Sequence, residues 1–249
     1  MLRAHTTCEL PRKSAQLVYH FARNSSEVAE AQRLRYKVFA REMGMKLPGN
    51  DGLDRDGLDP CCEHLLVRDG GSGEVVGTYR IMNPGMAQEL GGYTATRTFD
   101  LERLSHLFNS TVEIGRACVH ADYRHGGTIS LMWAGLAKYM QTNRYQFMLG
   151  SVSIGMADGG HMAASLYRRL HPDYLSPPEY RVFPHTPLPL QALRQDMQVS
   201  CPALVKGYLR LGAYICGEPA WTADFNAADM LVMLPLSRMD KRYASHFFR

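Results

Sequence analysis

The residues best placed to do chemistry lie between Thr111 and Met140. Glu113 and Arg116 are set inside an apolar run, Val112 to Val119. The run breaks at Tyr123–Gly127, a turn that holds one arginine, one histidine and two glycines. It resumes with Ile129, Leu131, Met132, Leu136 and Met140 at helical spacing. That order reads as strand, basic glycine turn, helix. Such a turn presents backbone N–H groups and the positive end of a helix dipole to an anion, most often a phosphate. Charged residues in the preceding strand sit where a reacting group would stand beside that phosphate. A glycine turn between strand and helix also serves as a plain tight turn, and the turn alone leaves both readings open.

A second group of charges lies in the loop Met45–Cys62, dense in Gly and Asp. Asp54, Asp56, Gly57 and Glu63 fall at some offsets of a calcium loop, but its first ligand would be Gly52 and its eighth position Asp59. An EF-hand is excluded. The loop reads as a solvated surface, or as a carboxylate cluster that receives an ammonium or guanidinium group. Cys61-Cys62-Glu63-His64 lacks the spaced second pair of a structural zinc site, so no metal is expected. His64 and Asp69, five apart on a strand, point to opposite faces and cannot act as a pair. Ser151 and Ser153 do not complete a nucleophile elbow.

The elements that must position these residues follow from pattern. Gln16–Arg23 reads as a short strand. Asn24-Ser25-Ser26 supplies N-cap chemistry for a helix from Glu27 to Met43, with Val28, Ala31, Leu34 and Val38 on one stripe and Gly44 closing it. Phe39 lies beside that stripe, one turn after Arg35. His64–Arg68 and Val75–Met82 form a hairpin around Asp69–Gly73, with Arg80 near its end. Pro84–Asn109 is an excursion with a short helical piece at Leu101–Phe108. Tyr145–Ile154 is a strand, His161–Leu170 a helix, and the proline-rich stretch His171–Pro202 a long ordered loop. Gly212–Gly217 and Met230–Leu236 are late strands. Antiparallel hairpins before the central helix disfavour a pure Rossmann sheet, and no internal repeat appears. The expectation is one mixed α/β (α+β) domain over 1–249, with a core of about 16–175 and a C-terminal extension of about 176–249.

Composition narrows the function classes. Of 249 residues, 28 are basic and 24 acidic, and the net charge of +4 is too mild to imply nucleic acid. It suits an acidic partner if the positive charge gathers on one face. No run approaches the roughly 18–20 apolar residues of a membrane span. The N-terminal residues lack the apolar stretch of a signal peptide, so the cytoplasm is expected. The six cysteines are then free thiols. The basic and aromatic tail Lys241–Arg249 is either a frayed terminus or a peripheral contact with the inner membrane.

Taken together, Arg35-x-x-Val38-Phe39, Asp54-x-Asp56-x-x-Asp59, Gly77-Thr78-Tyr79-Arg80, Glu113-x-x-Arg116 and the Arg124–Gly127 turn resemble the N-acyltransferases that make ornithine lipids. These are relatives of the acyl-homoserine-lactone synthases and N-acyl amino acid synthases, within the broader GNAT fold. The late segment Gly207–Ala213, with Gly217-Glu218-Pro219-Ala220-Trp221 and Asp224-Phe225-Asn226, resembles the ornithine-lipid group and is absent from the short autoinducer synthases. The resemblance runs from about Leu34 to the C-terminus. It implies a GNAT-like acyltransferase fold, with a mixed twisted sheet flanked by helices. It also implies a 3-hydroxyacyl donor on acyl carrier protein, ornithine as acceptor and lyso-ornithine lipid as product. No resident cofactor is implied, since acyl-phosphopantetheine on the carrier is a co-substrate. Arg124, Arg144, Arg168 and Arg169 are candidates for contact with the acidic carrier.

The same resemblance assigns roles. Glu113 would be the base, directly or through water, with a bulge at Gly115 bringing it and Arg116 to one side; the alternative is structural, with Arg116 paired to Glu113 or to the aspartates as scaffold. Ala117, Cys118 and Val119 would supply the oxyanion hole. Arg124, Gly126, Gly127 and Thr128 would hold the phosphopantetheine. The turn Arg124-x-x-Gly127-x-Ile129 departs from the usual pattern at its last position, which favours a single carrier phosphate over the pyrophosphate of coenzyme A. Tyr167 would protonate the leaving thiolate, or else is a buried tyrosine with a satisfied hydroxyl. Arg35, Phe39, Asp54, Asp56, Asp59 and Arg80 would form the amine site, or else the aspartates fix their loop against Arg35 and Arg80. Met132, Trp133 and Phe147 line an acyl tunnel or plain core. Two other functions stay open: an autoinducer-type or other N-acyl amino acid synthase, and a non-catalytic acyl-carrier-binding module.

Overall fold

The computed structural model describes residues 16–45, 47, 49, 51–124, 127–223 and 226–239. Gly126, Asp224-Phe225 and the tail 241–249 lie outside the described residues. Strand β1 (Leu17–Phe21) leads into helix α1 (Ser25–Tyr36), whose first turn is capped by the Asn24 side chain accepting from the Glu27 N–H at 3.0 Å. The periodicity predicts one α-helix through Met43. Instead the chain widens to a π-helix over Lys37–Glu42. Insertions of this kind cluster at functional sites because they re-aim side chains.

Strands β2 (Glu63–Asp69) and β3 (Val75–Met82) form the expected hairpin, and a short helix α2 (Pro84–Glu89) opens the excursion. The two-residue strand β4 (Phe99–Asp100) follows, then β5 (Thr111–Val119), α3 (Gly127–Asn143), β6 (Phe147–Gly155) and α4 (His161–Tyr174). The proline-rich stretch supplies β7 (Phe183–Pro184), which pairs with β4. Helix α5 (Ala203–Leu211) and strands β8 (Tyr214–Ile215), β9 (Ala220–Thr222) and β10 (Ala227–Pro235) complete the chain.

The main sheet runs β1-β2-β3-β5-β6-β10-β8, with β9 beside β10. All described pairings in it are antiparallel except β5–β6. Helix α3 covers one face over Leu65, Val67, Val76 and Ile81. Gly77 lets it approach, since a Cβ there would stand 2.8 Å from Thr128 Cγ2. Helix α1 covers the other face over Leu66, Val75 and Cys118. Strand alternation explains how neighbouring residues of one strand reach opposite layers. Among the described residues, no helix is long and apolar enough to cross a membrane.

Candidate active site

The parallel pair β5–β6 holds for three rungs, Thr111–Phe147, Val112–Met148 and Glu113–Leu149, and then ends. Both strands continue, so the sheet splits between them. At the fork Gly150 lies against β5, and a Cβ on it would stand 2.8 Å from the Ile114 carbonyl oxygen. Beyond the fork the edge of β5 that would have faced β6 is left open. Buried backbone polar groups need partners, so this edge can serve a ligand.

On its other side β5 pairs with β3, and here the register shifts. Thr78 faces Cys118 and Arg80 faces Gly115, which leaves Arg116 and Ala117 opposite Tyr79 alone. This is the expected β-bulge, formed at Arg116 instead of Gly115. Arg116 takes φ 51°, a left-handed conformation that costs a non-glycine residue on the order of 1 kcal/mol. The contacts it gains offset that strain. Its Nε stands 3.4 Å from Asp54 Oδ2, its Nη2 3.5 Å from Asp56 Oδ2, and its guanidinium lies 5.9 Å from the Phe39 ring centre.

A cavity of ≈ 620 Å³ passes through the split. Ile114–Val119 form one wall and Met148–Ser153 the other. Toward α3 and α5 it is apolar, lined by Tyr79, Met132, Trp133, Leu204, Val205 and Tyr208. Tyr79 and Tyr208 satisfy one another through their hydroxyls at 2.9 Å. Phe147 is not in the wall and packs on Tyr180 instead. The π-helical segment contributes Val38, Phe39 and Glu42. Arg124 and Ile129 bound the cavity where α3 begins, and Arg124 binds the Glu42 carboxylate and the Val119 carbonyl oxygen. Thr128 is buried beneath this turn. Burial pushes the Cys118 thiol well above its ordinary range, which leaves it without a nucleophilic thiolate.

The aspartate loop meets arginines of its own chain. Arg35 is wholly buried, with Nε 2.9 Å from Asp54 Oδ2 and Nη2 2.6 Å from Asp59 Oδ2. Gln32 donates to the same Asp59 oxygen at 2.9 Å. Arg80 Nη1 reaches Asp56 Oδ1 at 2.6 Å and Asp59 Oδ1 at 3.0 Å. Three arginines and three aspartates thus balance in charge, with Asp54 and Asp59 each paired to two arginines. Asp56 keeps the most exposed side chain of the three, at 27%. Burial works against an ionised Asp59, but bonds to Arg35 and Gln32 and the charges of Arg35 and Arg80 bring its pKa down to about 2. An unfolded aspartate titrates near 3.9, so the stabilisation from this depressed carboxylate is present above about pH 4. It is expected to fade as the pH falls from about 4 toward 2, which urea unfolding midpoints across that range will show. A midpoint that rises on acidification would contradict the network's contribution.

Two residues expected at the reaction centre stand elsewhere. Glu113 is buried and absent from the cavity wall. Its carboxylate accepts from the Thr94 N–H at 2.6 Å, the Thr94 hydroxyl at 2.5 Å and the Ala95 N–H at 3.0 Å. Burial nevertheless raises its pKa, the bonds from Thr94 and Ala95 offsetting only part of the effect. Its neighbours Val112 and Ile114 pack under α3, so alternation sends Glu113 to the other face. Tyr167 packs in the cluster around Ala164, Leu188 and Ile215, its ring 5.4 Å from His171, and does not line the cavity. Burial pushes its phenol up to about 12. Glu113→Gln is expected to lower stability by about 1–3 kcal/mol, because an amide N–H₂ must replace one acceptor. A general base is worth about 10²–10⁴-fold in rate. A loss of acyl-transfer rate below about tenfold identifies Glu113 as an anchor, and a loss of 10² or more as a base.

Sequence reasoning missed a further polar group on the cavity wall, Ser153 with Asp229 and Thr222 behind it. No spacing rule joins residues from three strands; only the strand pairing brings them together.

A model of the Acetyltransferase (GNAT) domain matches residues 34–134, from α1 into α3. The L-ornithine N(alpha)-acyltransferase of Agrobacterium fabrum is 33% identical over 245 residues, covering 91% of this chain and 83% of that one. The protein of that name from Brucella abortus is 31% identical, covering 93% and 88%. Among solved structures, FeeM, an N-acyl amino acid synthase from uncultured soil microbes, aligns with a TM-score of 0.56 at 13% identity, covering 93% of this chain and 95% of that one. The CoA-dependent acyl-homoserine lactone synthase MesI aligns with a TM-score of 0.51 at 10% identity, covering 93% and 96%. These two likenesses show the GNAT-like fold. Identity above 30% across nine-tenths of the chain shows more: the chain belongs to the L-ornithine N(alpha)-acyltransferase family and is an N-acyltransferase.

Proposed function

We propose that the protein moves a 3-hydroxyacyl group from acyl carrier protein to the α-amino group of L-ornithine, giving lyso-ornithine lipid and the free carrier thiol. The observation that carries this reading is the split between β5 and β6, apolar on the α3 side and carrying Arg116 and Glu42 among apolar residues on the α1 side. An acyl chain fits the region of Met132, Trp133 and Tyr208. The thioester carbonyl would then lie at the bulge, where donors from Ala117 to Val119 stabilise the oxyanion, commonly by about 3–4 kcal/mol each. Arg116 adds positive charge at the same wall.

Arg124 and the start of α3 at Gly127 and Thr128 suit the single phosphate of a carrier-bound arm. Asp56, the least buried carboxylate of its network, is the one that would share its arginine contacts with the side-chain ammonium of ornithine. Asp54, Asp59, Arg35 and Arg80 hold the loop that presents it. Ornithine itself is supported by the names of the relatives. Direct attack on the thioester needs no acyl-enzyme, which accords with the buried thiol of Cys118.

The test is turnover by the purified protein, with 3-hydroxyacyl carrier protein or the matching coenzyme A thioester and a panel of amino acids, read by mass spectrometry. The expected product is N-acyl-ornithine, made faster from the carrier thioester. Preferential acylation of another amine would overturn the ornithine assignment in favour of an N-acyl amino acid synthase. Binding of the carrier without transfer would favour a carrier-binding module.

A further inference from the structure

The wall of the cavity holds a proton acceptor of its own. Ser153 lines it and is exposed. Its hydroxyl donates to Asp229 Oδ1 at 2.5 Å, while Thr222 Oγ1 donates to Asp229 Oδ2 at 2.6 Å. Asp229 is 8% exposed. Ser153 and Asp229 are direct partners in the β6–β10 ladder, so their side chains share one face.

That face is the one turned away from α3. Met148 and Val152 contact the α3 cluster, whereas Leu149 packs in the opposite layer with Ala95 and Leu231. Ser151 and Ser153 follow Leu149 by alternation, on the side where Arg116 meets Asp56. Ser153 lies four residues beyond the last β5–β6 rung on its strand, as Ala117 does on the other. The serine therefore stands across the split from the bulge. A hydroxyl whose hydrogen is committed to a carboxylate has only lone pairs left to offer. An N–H donor entering the cavity there meets an acceptor.

We propose that Ser153 and Asp229 take the proton from the attacking amine, a step that rests on the acyl transfer proposed above. The amine arrives as an ammonium. One proton passes from its nitrogen to Ser153 Oγ as the serine proton passes to Asp229 Oδ1, and Asp229 later releases it to solvent. The freed nitrogen pair forms the C–N bond at the thioester carbonyl. Collapse of the tetrahedral centre breaks the C–S bond, and the second nitrogen proton ends on the departing sulfur. Ser153 is the catalytic residue, touching the reacting nitrogen. Asp229 is a positioning residue that acts through it, and Thr222 fixes the second carboxylate oxygen.

The experiment compares wild type, Ser153→Ala, Ser153→Thr and Asp229→Asn in the full chain, with ornithine and 3-hydroxyacyl carrier protein. In Ser153→Ala and Asp229→Asn, kcat is expected to fall about 100-fold, within the range of general-base contributions. The KM for the thioester stays within about twofold. Ser153→Thr keeps the hydroxyl and restores most of the rate. Ser153→Ala removes an exposed group, so it decides the matter even where Asp229→Asn fails to fold. Wild-type kcat in Ser153→Ala overturns the proposal, as does a loss of rate that follows entirely from weaker thioester binding. A wild type that acylates a different amine changes only the substrate assignment, and the variants are then read with that amine. A wild type that acylates no amine overturns both readings.

Discussion

Arg35→Ala is expected to cost about 3–5 kcal/mol of stability, because removing one partner of a buried pair leaves an uncompensated charge. Arg35 is fully buried and touches Asp54 and Asp59, which are 1% and 3% exposed. Without it Asp59 keeps Arg80 and Gln32, and Asp54 keeps only the longer contact to Arg116. A domain of this kind holds about 5–15 kcal/mol in total, so the variant approaches the unfolding threshold. Asp59→Asn should cost less in the Arg35→Ala background than alone, since the charge it removes is then unpaired. Urea unfolding of both single variants and the double variant measures the coupling. A cost below about 1 kcal/mol for Arg35→Ala would show that the network is exchanged for water without loss.

Gly150→Val tests the fork. The added Cβ would stand 2.8 Å from the Ile114 carbonyl oxygen, a backbone atom within a paired strand. The strands must therefore move apart where the rungs end. Overpacking of this kind costs about 1–3 kcal/mol. The effect on rate is larger, since a displacement of about 1 Å at a reacting centre costs on the order of 10²-fold. The expected result is a folded protein with kcat reduced about 100-fold. Gly155→Ala, where a Cβ meets nothing within 4 Å, serves as the control and keeps its rate. Full activity in Gly150→Val would mean that the width of the split is unimportant to the reaction.

The strand and helix of the central stretch were legible because each carries a local signal: an apolar run, then helical spacing. The π-helical turn at Lys37–Glu42 was not, because its side-chain pattern continues that of α1 and the extra residue per turn is decided by packing. Gly115 correctly marked a strand that bulges, but the positive φ fell on Arg116, held by Asp54 and Asp56 from a distant loop. Glu113 shows the harder limit. Alternation tells that it opposes Val112 and Ile114, not which face is the reacting one. The aspartate loop was readable as a receiver of cations, and the arginines it receives come from α1, β3 and β5 of the same chain. Ser153 drew notice only as part of a nucleophile elbow it does not complete, and nothing linked it to Thr222 and Asp229, since their meeting depends on β6, β9 and β10 lying side by side.

The most direct test of the account is a structure of the protein with a non-hydrolysable acyl-pantetheine, its thioester replaced by an amide. The acyl chain is expected between Met132, Trp133 and Tyr208, the carbonyl oxygen against the backbone of Ala117–Val119, and the phosphate beside Arg124 and Gly127. An acyl chain bound outside the split, or a carbonyl turned away from the bulge, would contradict it.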